Sequence, residues 1–463
     1  MQQFEAGHRV DGFVIDACIH SGGMANIYRV HCADPAQQPD FPLIMKVPRM
    51  TADDGAENLL GFEVEKQILA TLHGPHAPRF VAAGDVSTLP YLVMEYVEGE
   101  TLQDWLDRTP SRDGSEIARI GALIAHAVHW LHQQDVCHLD LKPANVLLAS
   151  RGDAVLLDFG LSWHAKQPDL LAENLRTTVG SYAWIAPEQV VGVRGDPRSD
   201  VFAIGVMLYE MCTGELPFGN PQTKGGLRQR FWMQPTPPRE PNAQVAEWLQ
   251  EIVLTCLQAR AEERYASAAL LAFDLMHPDQ VNVTERGRAN RGPGFWVQAA
   301  RWVSVDYTPS AVPDRALAQV PIVMVAVPHN DVTEATLEAL RQAVERGLGN
   351  RPGARLACVT VVAPDAAASR EVVVHQQLLT YLRDWAARVK LGDHLATYHV
   401  LESDDVAQAL LAYAEGNHVN LIILGAATHG LQLQRFVSTV PIKVAMHAPC
   451  TVMLVKAAVA ATA

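Results

Sequence analysis

The sequence predicts two folded units: an α+β unit on the N-terminal side and an α/β unit with a parallel sheet on the C-terminal side. Its 463 residues are too many for one ordinary hydrophobic core. The first part begins with short β-like runs and continues into long helical patterns. From Val320 onward, apolar strands alternate with helical runs, which predicts parallel βαβ units with a sheet covered on both faces.

The N-terminal unit is predicted to span residues 1–277, with a strand-rich small lobe (1–96) and a helix-rich large lobe (97–277). The helical period is clearest in "EIARIGALIAHAVHWLHQQ", where apolar residues recur every three to four positions. The apolar run "VFAIGVMLYEMC" is too short to cross a bilayer and predicts a buried helix. Strands are predicted at "HRVDGFVIDACI", "ANIYRVHCA", "FPLIMKVP" and "YLVMEYV".

Residues 278–319 are predicted to link the two units, because they are richer in Arg, Gly and Pro and show no sustained period. Their arginines and aromatic residues permit two interpretations, an RNA-binding arm or an aromatic linker docked on a domain surface. The acidic charge of the chain favours the docked linker. The residues concerned are Arg286, Arg288, Arg291, Phe295, Trp296 and Trp302.

The C-terminal unit is predicted to span residues 320–463. Its helices are predicted at "TEATLEALRQAVERGL" and "SDDVAQALLAYAEG", each of which follows or precedes an apolar strand. Its strands are predicted at "VPIVMVAVP", "ARLACVTVVAP", "LATYHVL", "VNLIILG" and "CTVMLVK".

The composition predicts a globular protein of the cytoplasm, with 49% hydrophobic and 19% charged residues. The formal net charge of −14 argues against nucleic-acid binding, which requires a basic surface. The seven cysteines are scattered, without the spacing of a zinc site, and indicate a reducing compartment. The N-terminus lacks the plan of a signal peptide, and no apolar run reaches the roughly 20 residues that span a bilayer. We therefore expect neither nucleic acid nor a membrane among the partners.

The stretch "HLDLKPANVLL" carries the residue types that phosphoryl transfer requires. The carboxylate of Asp140 can accept or orient the proton of an attacking hydroxyl, and Lys142 can neutralise the transferred phosphoryl group. Asn145, together with Asp158 of "LLDFGLS", offers two metal-binding oxygens. Further upstream, Lys46 ends the apolar strand "LIMK".

Glu65 lies in the helical pattern "FEVEKQILATL", whose inner stripe is formed by Ile68, Leu69 and Leu72. Taken in order, these motifs resemble those of the protein kinases, and of bacterial eukaryotic-like serine/threonine kinases in particular. The likeness covers roughly the first 275 residues and implies the bilobal protein-kinase fold. A lysine two residues after the catalytic aspartate is typical of the serine/threonine class.

The resemblance implies a role for each of these residues. Asp140 would accept or orient the proton of the substrate hydroxyl, and Lys142 would neutralise the γ-phosphoryl group. Lys46 would contact the α- and β-phosphates of ATP while pairing with Glu65. The metal ligands would be Asn145 and Asp158, with Mg²⁺, or Mn²⁺ in its place, as the ion. The implied partners are ATP and protein substrates.

The nucleotide site implied by the resemblance begins at "IHSGGMANIY", which occupies the place of the glycine-rich loop. Glycines allow backbone N–H groups to approach the phosphates. The stretch "YLVMEYVEG" resembles the hinge that binds adenine through the backbone of Glu95 and Val97, with Met94 as gatekeeper. The complete set of residues assigned to nucleotide binding is Gly22, Gly23, Ile27, Lys46, Met94, Glu95, Val97 and Leu147.

The stretch "TTVGSYAWIAPEQ" resembles the end of an activation segment, with Ser181 in the place of the usual threonine of the substrate-docking loop. In the family, Glu188 of "APE" pairs with an arginine, which is Arg264 here. Asp200 matches the buried helical aspartate that ties down the backbone of the catalytic loop. These residues extend the resemblance to the end of the N-terminal unit.

Leu139 concerns regulation, because it stands where many kinases have an arginine that pairs with an activation-loop phosphate. Leucine cannot form this pair. Thr177 and Thr178 are candidates for autophosphorylation, but the arginine-dependent part of the switch is expected to be missing. We therefore assign Thr177, Thr178, Ser181 and Leu139 to regulation.

An inactive or catalytically weak kinase-like scaffold, acting as a nucleotide sensor, is the alternative. His20 and Ala25 replace the outer glycines of the loop, and Ile44 stands where adenine usually meets a small residue. Lys46 and the two catalytic aspartates, Asp140 and Asp158, are all present, which favours an active enzyme.

From Val320 the chain resembles the universal stress protein family, an α/β, Rossmann-like fold with a five-stranded parallel sheet. Members that bind ATP have two glycines and then Gly-Ser or Gly-Thr at fixed spacing. Here Gly425 is retained, and the later positions are Thr428, Ser438 and Thr439, with Gly430 displaced by two residues. Pro328 replaces the usual aspartate after the first strand.

These changes leave two roles for the C-terminal unit. One is the sensing of ATP or AMP through Gly425, Ser438 and Thr439, and the other is dimerisation or docking. The family commonly pairs through its last strand, here near "CTVMLVK". We expect a homodimer formed through this unit, in a protein of bacterial stress signalling.

Overall fold

The structure is a computed structural model, and the residues that it describes form two domains joined by a short segment. They are residues 4–22, 25–49, 55–84, 89–109, 113–167, 169–171, 182–221, 223–304, 307–310, 321–330, 332–349, 354–363, 368–392, 394, 396–417, 419–426 and 440–456.

The small lobe is built on an antiparallel sheet of six strands, in the order β1-β2-β3-β4-β6-β5. Alternating burial along β4 places Leu43, Met45 and Val47 in the core and leaves the intervening residues on the other face. One helix, α1, packs beside this sheet. The bounds are β1 (Arg9–Val10), β2 (Phe13–Ser21), β3 (Ala25–Cys32), β4 (Leu43–Pro48), β5 (Phe80–Ala83), β6 (Leu92–Glu95) and α1 (Gly55–Leu69).

The large lobe is helical around one apolar core, to which α3, α5, α7 and α8 contribute. Its short strands carry the loops of the candidate site. The helices are α2 (Leu102–Arg108), α3 (Gly114–Gln133), α4 (Pro187–Val190), α5 (Arg198–Thr213), α6 (Lys224–Leu227), α7 (Glu247–Cys256) and α8 (Ala268–Met276). The strands are β7 (Gly99–Thr101), β8 (Val136–Cys137), β9 (Val146–Ala149), β10 (Ala154–Leu156) and β11 (Trp163–His164).

Local capping explains where several of these helices begin and end. Thr101 and Asp104 form a capping box at the start of α2. The side chain of Asp113 accepts a hydrogen bond from the backbone N–H of Ser115 at the start of α3. Helix α5 ends at Thr213 and is capped by Gly214, whose left-handed backbone (φ 76°) suits glycine.

The segment between the domains contains two helices, α9 (Glu285–Arg288) and α10 (Phe295–Ser304), which the absence of a sustained period did not predict. Helix α9 is bound to the large lobe, because the Glu251 carboxylate accepts hydrogen bonds from Arg286 and from the Gly287 N–H. The expected docking of the aromatic residues is wrong for Trp296 and Trp302, which are 82% and 63% exposed.

The C-terminal domain is a parallel sheet in the order β14-β13-β12-β15-β16. One face packs against α11 and α12, and the other against α13 and α14, so both faces are covered. The elements are β12 (Ile322–Ala326), α11 (Glu334–Gly349), β13 (Arg355–Val362), α12 (Ala368–Ala386), β14 (Ala396–Glu402), α13 (Val406–Gly416), β15 (Leu421–Gly425), α14 (Val440–His447) and β16 (Thr451–Val455).

The predicted fold class is therefore confirmed, with a bilobal α+β domain followed by an α/β domain with a five-stranded parallel sheet. All seven cysteines lie in the described residues, and none of them forms a disulfide. Among the described helices, none is both long and apolar enough to cross a membrane.

Candidate active site

The loop between β8 and β9 brings the three polar side chains of "HLDLKPANVLL" together. The Lys142 ammonium donates a hydrogen bond to Oδ2 of Asp140 at 2.9 Å. The Asn145 amide nitrogen donates to the same oxygen at 3.1 Å and to the Asp140 carbonyl at 2.9 Å. A 3-10 turn at Pro143–Asn145 makes this geometry possible, since it folds the asparagine back over the aspartate.

Asp200 on α5 binds the backbone at the start of this loop through hydrogen bonds. Its two carboxylate oxygens accept the backbone N–H groups of His138 at 2.9 Å and Leu139 at 2.8 Å. His132 on α3 lies 2.8 Å from the same carboxylate. Leu139 has a left-handed backbone (φ 63°), a conformation that costs an L-residue about 1 kcal/mol or more. The buried aspartate therefore stabilises a strained loop whose shape presents Asp140 to the cavity.

Lys46 on β4 pairs with two carboxylates from different parts of the small and large lobes. Its Nζ lies 2.7 Å from Oε2 of Glu65 on α1 and 3.1 Å from Oδ1 of Asp158. The sheet register places Lys46 opposite Ile27 on β3 and Leu92 on β6, so the lysine emerges from the middle of the sheet. Helix α1 is thus positioned close to β4, and the Asp158 segment is turned toward the lysine.

Electrostatics favour the charged forms of Lys46 and Asp158. Burial alone would lower the pKa of Lys46, but the carboxylates of Asp158 and Glu65 outweigh it and raise that pKa above its ordinary value. The nearby Lys46 ammonium lowers the pKa of Asp158 to about 2, against the opposing effect of burial. At neutral pH the site therefore combines a cation with an ionised carboxylate.

A cavity of about 690 Å³ lies between the two lobes and is lined by almost every residue that the sequence assigned to catalysis, nucleotide or metal. From the predicted set, the lining includes Gly22, Ile27, Lys46, Glu65, Met94, Glu95, Val97, Asp140, Lys142, Asn145, Leu147 and Asp158. Gly23 lies outside the described residues.

The hinge and the glycine-rich loop show how the cavity is shaped. The backbone N–H of Glu95 donates to the Arg79 carbonyl at 2.9 Å, so the carbonyl of Glu95 is the group available to a ligand on that residue. An ideal Cβ built on Gly22 would lie 2.9 Å from Nε2 of the exposed His20 side chain, which can move aside. His20 and Gly22 both line this part of the cavity.

The residues present fit ATP with a divalent cation. Ile27, Met94 and Leu147 give the cavity an apolar lining suited to adenine. Asp158 and the amide oxygen of Asn145 are the hard oxygen ligands that Mg²⁺ prefers, since the Asn145 nitrogen is used in bonds to Asp140. Lys46 and Lys142 add positive charge for phosphates.

The end of the activation segment is anchored in the large lobe. The Glu188 carboxylate pairs with both terminal nitrogens of Arg264, at 2.7 and 2.8 Å, and accepts a hydrogen bond from Ser199 at 2.6 Å. The ion pair is buried, so removing either partner would leave an uncompensated charge. Thr177, Thr178 and Ser181 lie outside the described residues.

The Leu139 side chain is 5% exposed and borders a small cleft together with Trp184 and Ile185. Its carbonyl accepts a hydrogen bond from the Gln189 amide at 3.0 Å. The residue that precedes Asp140 therefore contributes apolar packing beneath the activation segment rather than a cation.

Sequence reasoning assigned no role to Arg194, Asp169 or His138. Arg194 donates to Asp169 at 2.6 Å and to the carbonyls of Leu161 and Ser162, just after Asp158, at 2.9 and 3.2 Å. His138 lies 3.1 Å from the Leu157 carbonyl, just before Asp158. These contacts position the Asp158 segment. The proximity of His138 to Asp140 in sequence was the only available signal.

The C-terminal domain contains a second cavity of about 850 Å³ at the carboxyl ends of β12 and β15. This is the crevice at which open α/β sheets commonly bind ligands. Gly425, Pro328 and His329 line it, and its described lining contains no Asp, Glu, Lys or Arg. Thr428, Gly430, Ser438 and Thr439 lie outside the described residues.

Comparisons with known proteins agree with this geometry. Residues 22–276 match the family model of the protein kinase domain, which covers more than half of the chain. Residues 322–456 match the model of the universal stress protein family.

Among curated proteins, the chain is 28% identical over 298 residues to the serine/threonine-protein kinase PknB of Mycolicibacterium smegmatis. It is 26% identical over 258 residues to the probable serine/threonine-protein kinase CPE1738 of Clostridium perfringens, and 28% identical over 335 residues to pkn3 of Myxococcus xanthus. These matches cover 64%, 56% and 70% of this chain, in that order of naming. The chain spans only 46%, 37% and 57% of the length of these relatives, in the same order.

Proposed function

The chain belongs to the protein kinase family, and from that premise we propose that it transfers the γ-phosphoryl group of ATP to serine or threonine hydroxyls of proteins, its own included. One observation carries the proposal. Lys46 is paired with both Glu65 and Asp158, while Asp140, Lys142 and Asn145 line the same cavity. Phosphoryl transfer requires these two arrangements at the same time.

Asp140 is proposed to orient the substrate hydroxyl and accept its proton. Lys142 and Asn145 both bind its carboxylate, so the group that lines the cavity is held in one orientation. The strained Leu139 backbone and the Asp200 brace fix the loop before substrate arrives. Such preorganisation lowers the barrier because no reorganisation is needed during the reaction.

Lys46 is proposed to bind the α- and β-phosphates, and Glu65 keeps its ammonium in place. Asn145 and Asp158 would hold Mg²⁺, or Mn²⁺ in its place. When bound, ATP would supply the phosphoryl group, and the metal would offset the negative charge of the phosphate oxygens. The backbone of Glu95 and Val97 would bind adenine next to Met94, with Gly22 and Gly23 near the phosphates.

We extend the proposal to regulation, domain boundaries and cellular role. Thr177, Thr178 and Ser181 are proposed to take part in control, without the arginine-dependent step that Leu139 removes. The domain boundaries at residues 277 and 320 are proposed, as are a cytoplasmic location and a role in bacterial stress signalling. The scattered positions of the seven cysteines favour a reducing compartment.

We also propose that the C-terminal domain pairs with a second copy through β16. This strand forms one edge of the five-stranded sheet, and edge strands present unpaired backbone groups to a partner. Dimerisation would raise the local concentration of one kinase domain near another and favour phosphorylation in trans. Sedimentation of the full chain distinguishes monomer from dimer.

Incubation of the full chain with Mg-ATP and a generic serine/threonine substrate tests the proposed activity. We expect phosphate transfer by the wild type, and a loss of about 10²- to 10⁴-fold in Asp140→Asn, which keeps the shape but not the base. Asp107→Asn, on helix α2, is the matched control and should retain full activity. A wild type without transfer, or an equal rate in Asp140→Asn, would leave the inactive scaffold as the better interpretation.

A further inference from the structure

The C-terminal domain contacts the two parts of the kinase domain that must be correctly placed for phosphoryl transfer. Helix α12 packs beside α1, the helix that carries Glu65. Asn417, at the end of α13, binds the segment that follows Asp158. In protein kinases the position of the helix equivalent to α1 and the ordering of this segment are what regulation controls.

Helix α1 is covered on more than one side. From Asn58 to Leu69 no residue is exposed, although this stretch includes the charged residues Glu63 and Lys66. Leu379 on α12 packs against the apolar core of the kinase domain, to which Phe62 of α1 belongs. Leu379 is not part of the apolar clusters of its own domain, so its side chain serves the contact between domains.

The second contact reaches the Asp158 segment through two further side chains. The backbone N–H of Asp169 donates a hydrogen bond to Oδ1 of Asn417. The Asp169 carboxylate pairs with Arg194, which in turn donates to the carbonyls of Leu161 and Ser162. Asn417, Asp169 and Arg194 are all largely buried, and such enclosed polar networks fix the geometry of the groups that they join.

One charge of the C-terminal domain also acts on β11 of the kinase domain. Burial and the positive charge of Arg355, at the start of β13, lower the pKa of His164 to about 4. His164 is therefore neutral at physiological pH and does not repel the arginine. The C-terminal domain thus presents a surface that contacts the kinase domain at α1 and at the segment that follows Asp158.

We propose that this surface is an intramolecular activating clamp, in which the C-terminal domain holds α1 and the Asp158 segment in the arrangement that pairs Lys46 with Glu65. We infer activation rather than inhibition because the contacts between the domains are present in the same structure as the 2.7 Å Lys46–Glu65 pair. Whatever binds one of two conformations shifts the population toward it. The inference rests on the proposed kinase activity and adds that the C-terminal domain controls this activity.

The test uses the full chain with Leu379→Arg, which places a charge in the contact between the domains. The control is Gln377→Arg, which introduces the same residue at an exposed position of the same helix. We expect the turnover of Leu379→Arg to fall about tenfold, in the range of typical couplings between sites, while Gln377→Arg matches the wild type. Asn417→Ala should also lower turnover relative to the wild type. Circular dichroism establishes that every variant is folded.

Hydrogen exchange provides a readout that does not depend on activity. The amides of α1 and of residues 158–167 should exchange faster in Leu379→Arg than in Gln377→Arg, because loss of the clamp frees both elements. An inactive wild type would overturn the proposed function, whereas exchange would still decide the clamp. An active wild type with unchanged or higher turnover in Leu379→Arg would overturn the clamp, as would equal losses in both arginine variants or unchanged exchange.

Discussion

Two large cavities formed by the described residues have similar volumes, but only one of them is lined by charged side chains. The cavity between the kinase lobes, about 690 Å³, is lined by six charged residues. The cavity of the C-terminal domain, about 850 Å³, has none among its described lining residues. Size therefore does not separate the two cavities, whereas the placement of charge does. The charged residues of the first cavity are Lys46, Glu65, Glu95, Asp140, Lys142 and Asp158.

The polar groups that line the two cavities also differ in kind. In the kinase domain they come from distant parts of the chain, such as β4, α1 and the loops around Asp140 and Asp158, and they are paired with one another. Burying them is tolerated because each cation faces a carboxylate. The C-terminal cavity instead has Pro328 after β12 and owes its polarity to His329, Asn330 and threonines.

The comparison predicts that the largest functional effect follows the removal of a charge from the kinase cavity. In Lys46→Met, the Glu65 and Asp158 carboxylates lose their common partner, and the phosphates lose a cation. We expect the rate of phosphoryl transfer to fall about 10²- to 10³-fold. Steady-state kinetics with ATP and a protein substrate measure this.

Lys390→Met is the matched control, because Lys390 is exposed on the C-terminal domain and its side chain takes no part in the cavity. It should leave the rate unchanged. If Lys46→Met were as active as this control, the charges of the kinase cavity would not be what separates it from the second cavity.

The sequence could group many residues of the kinase cavity because they lie in short motifs with fixed local geometry. Asp140, Lys142 and Asn145 occupy one turn of chain, so their mutual distances follow from the local backbone. Lys46 and Asp158 are far apart in sequence, and only the resemblance to a family brought them together. The strand and helix order was likewise predictable, since period and length differ between the two domains.

The contact between the domains was not predictable from such motifs, because 248 residues separate Asp169 from Asn417. One signal was present in α1. The predicted inner stripe included Ile68 and Leu69, but Leu59, Phe62 and Val64 are also buried, so apolar residues surround much of the helix. A helix that is apolar around most of its circumference is covered on several sides. Besides the kinase domain itself, α12 of the C-terminal domain covers α1.

A smaller effect is expected from acid, which should weaken the C-terminal domain through His399. Complete burial lowers the pKa of His399 to about 3, so the folded domain holds this histidine neutral. Between pH 6.5 and 3 the unfolded chain binds a proton that the folded domain does not, so stability falls as the pH falls through this range. From pH 7.5 to 5.5 the contribution of this residue to the free energy of unfolding should decrease by about 1.4 kcal/mol.

Urea unfolding of the full chain at the two pH values, compared with His399→Gln, measures this contribution. Glutamine can still bond with Thr397 and Tyr413, the hydrogen-bond partners of His399, but it does not titrate. The control is His447→Gln at an exposed position, which should keep the acid sensitivity of the wild type. Equal acid sensitivity in His399→Gln and wild type would contradict a neutral buried His399.

The smallest effect is expected from Gly425, and it decides whether the two cavities really differ in their ligands. Calorimetry with a non-hydrolysable ATP analogue and Mg²⁺ should give one nucleotide per chain. A Cβ at Gly425 would make an ordinary 3.5 Å contact with Thr336, so Gly425→Ala should fold normally and leave both stoichiometry and affinity within about twofold of the wild type. Two nucleotides per chain, with one of them lost in Gly425→Ala, would show that backbone groups near β15 bind phosphates without help from charged side chains. The C-terminal domain would then be a nucleotide sensor, and the contrast in charge would not determine which cavity binds ATP.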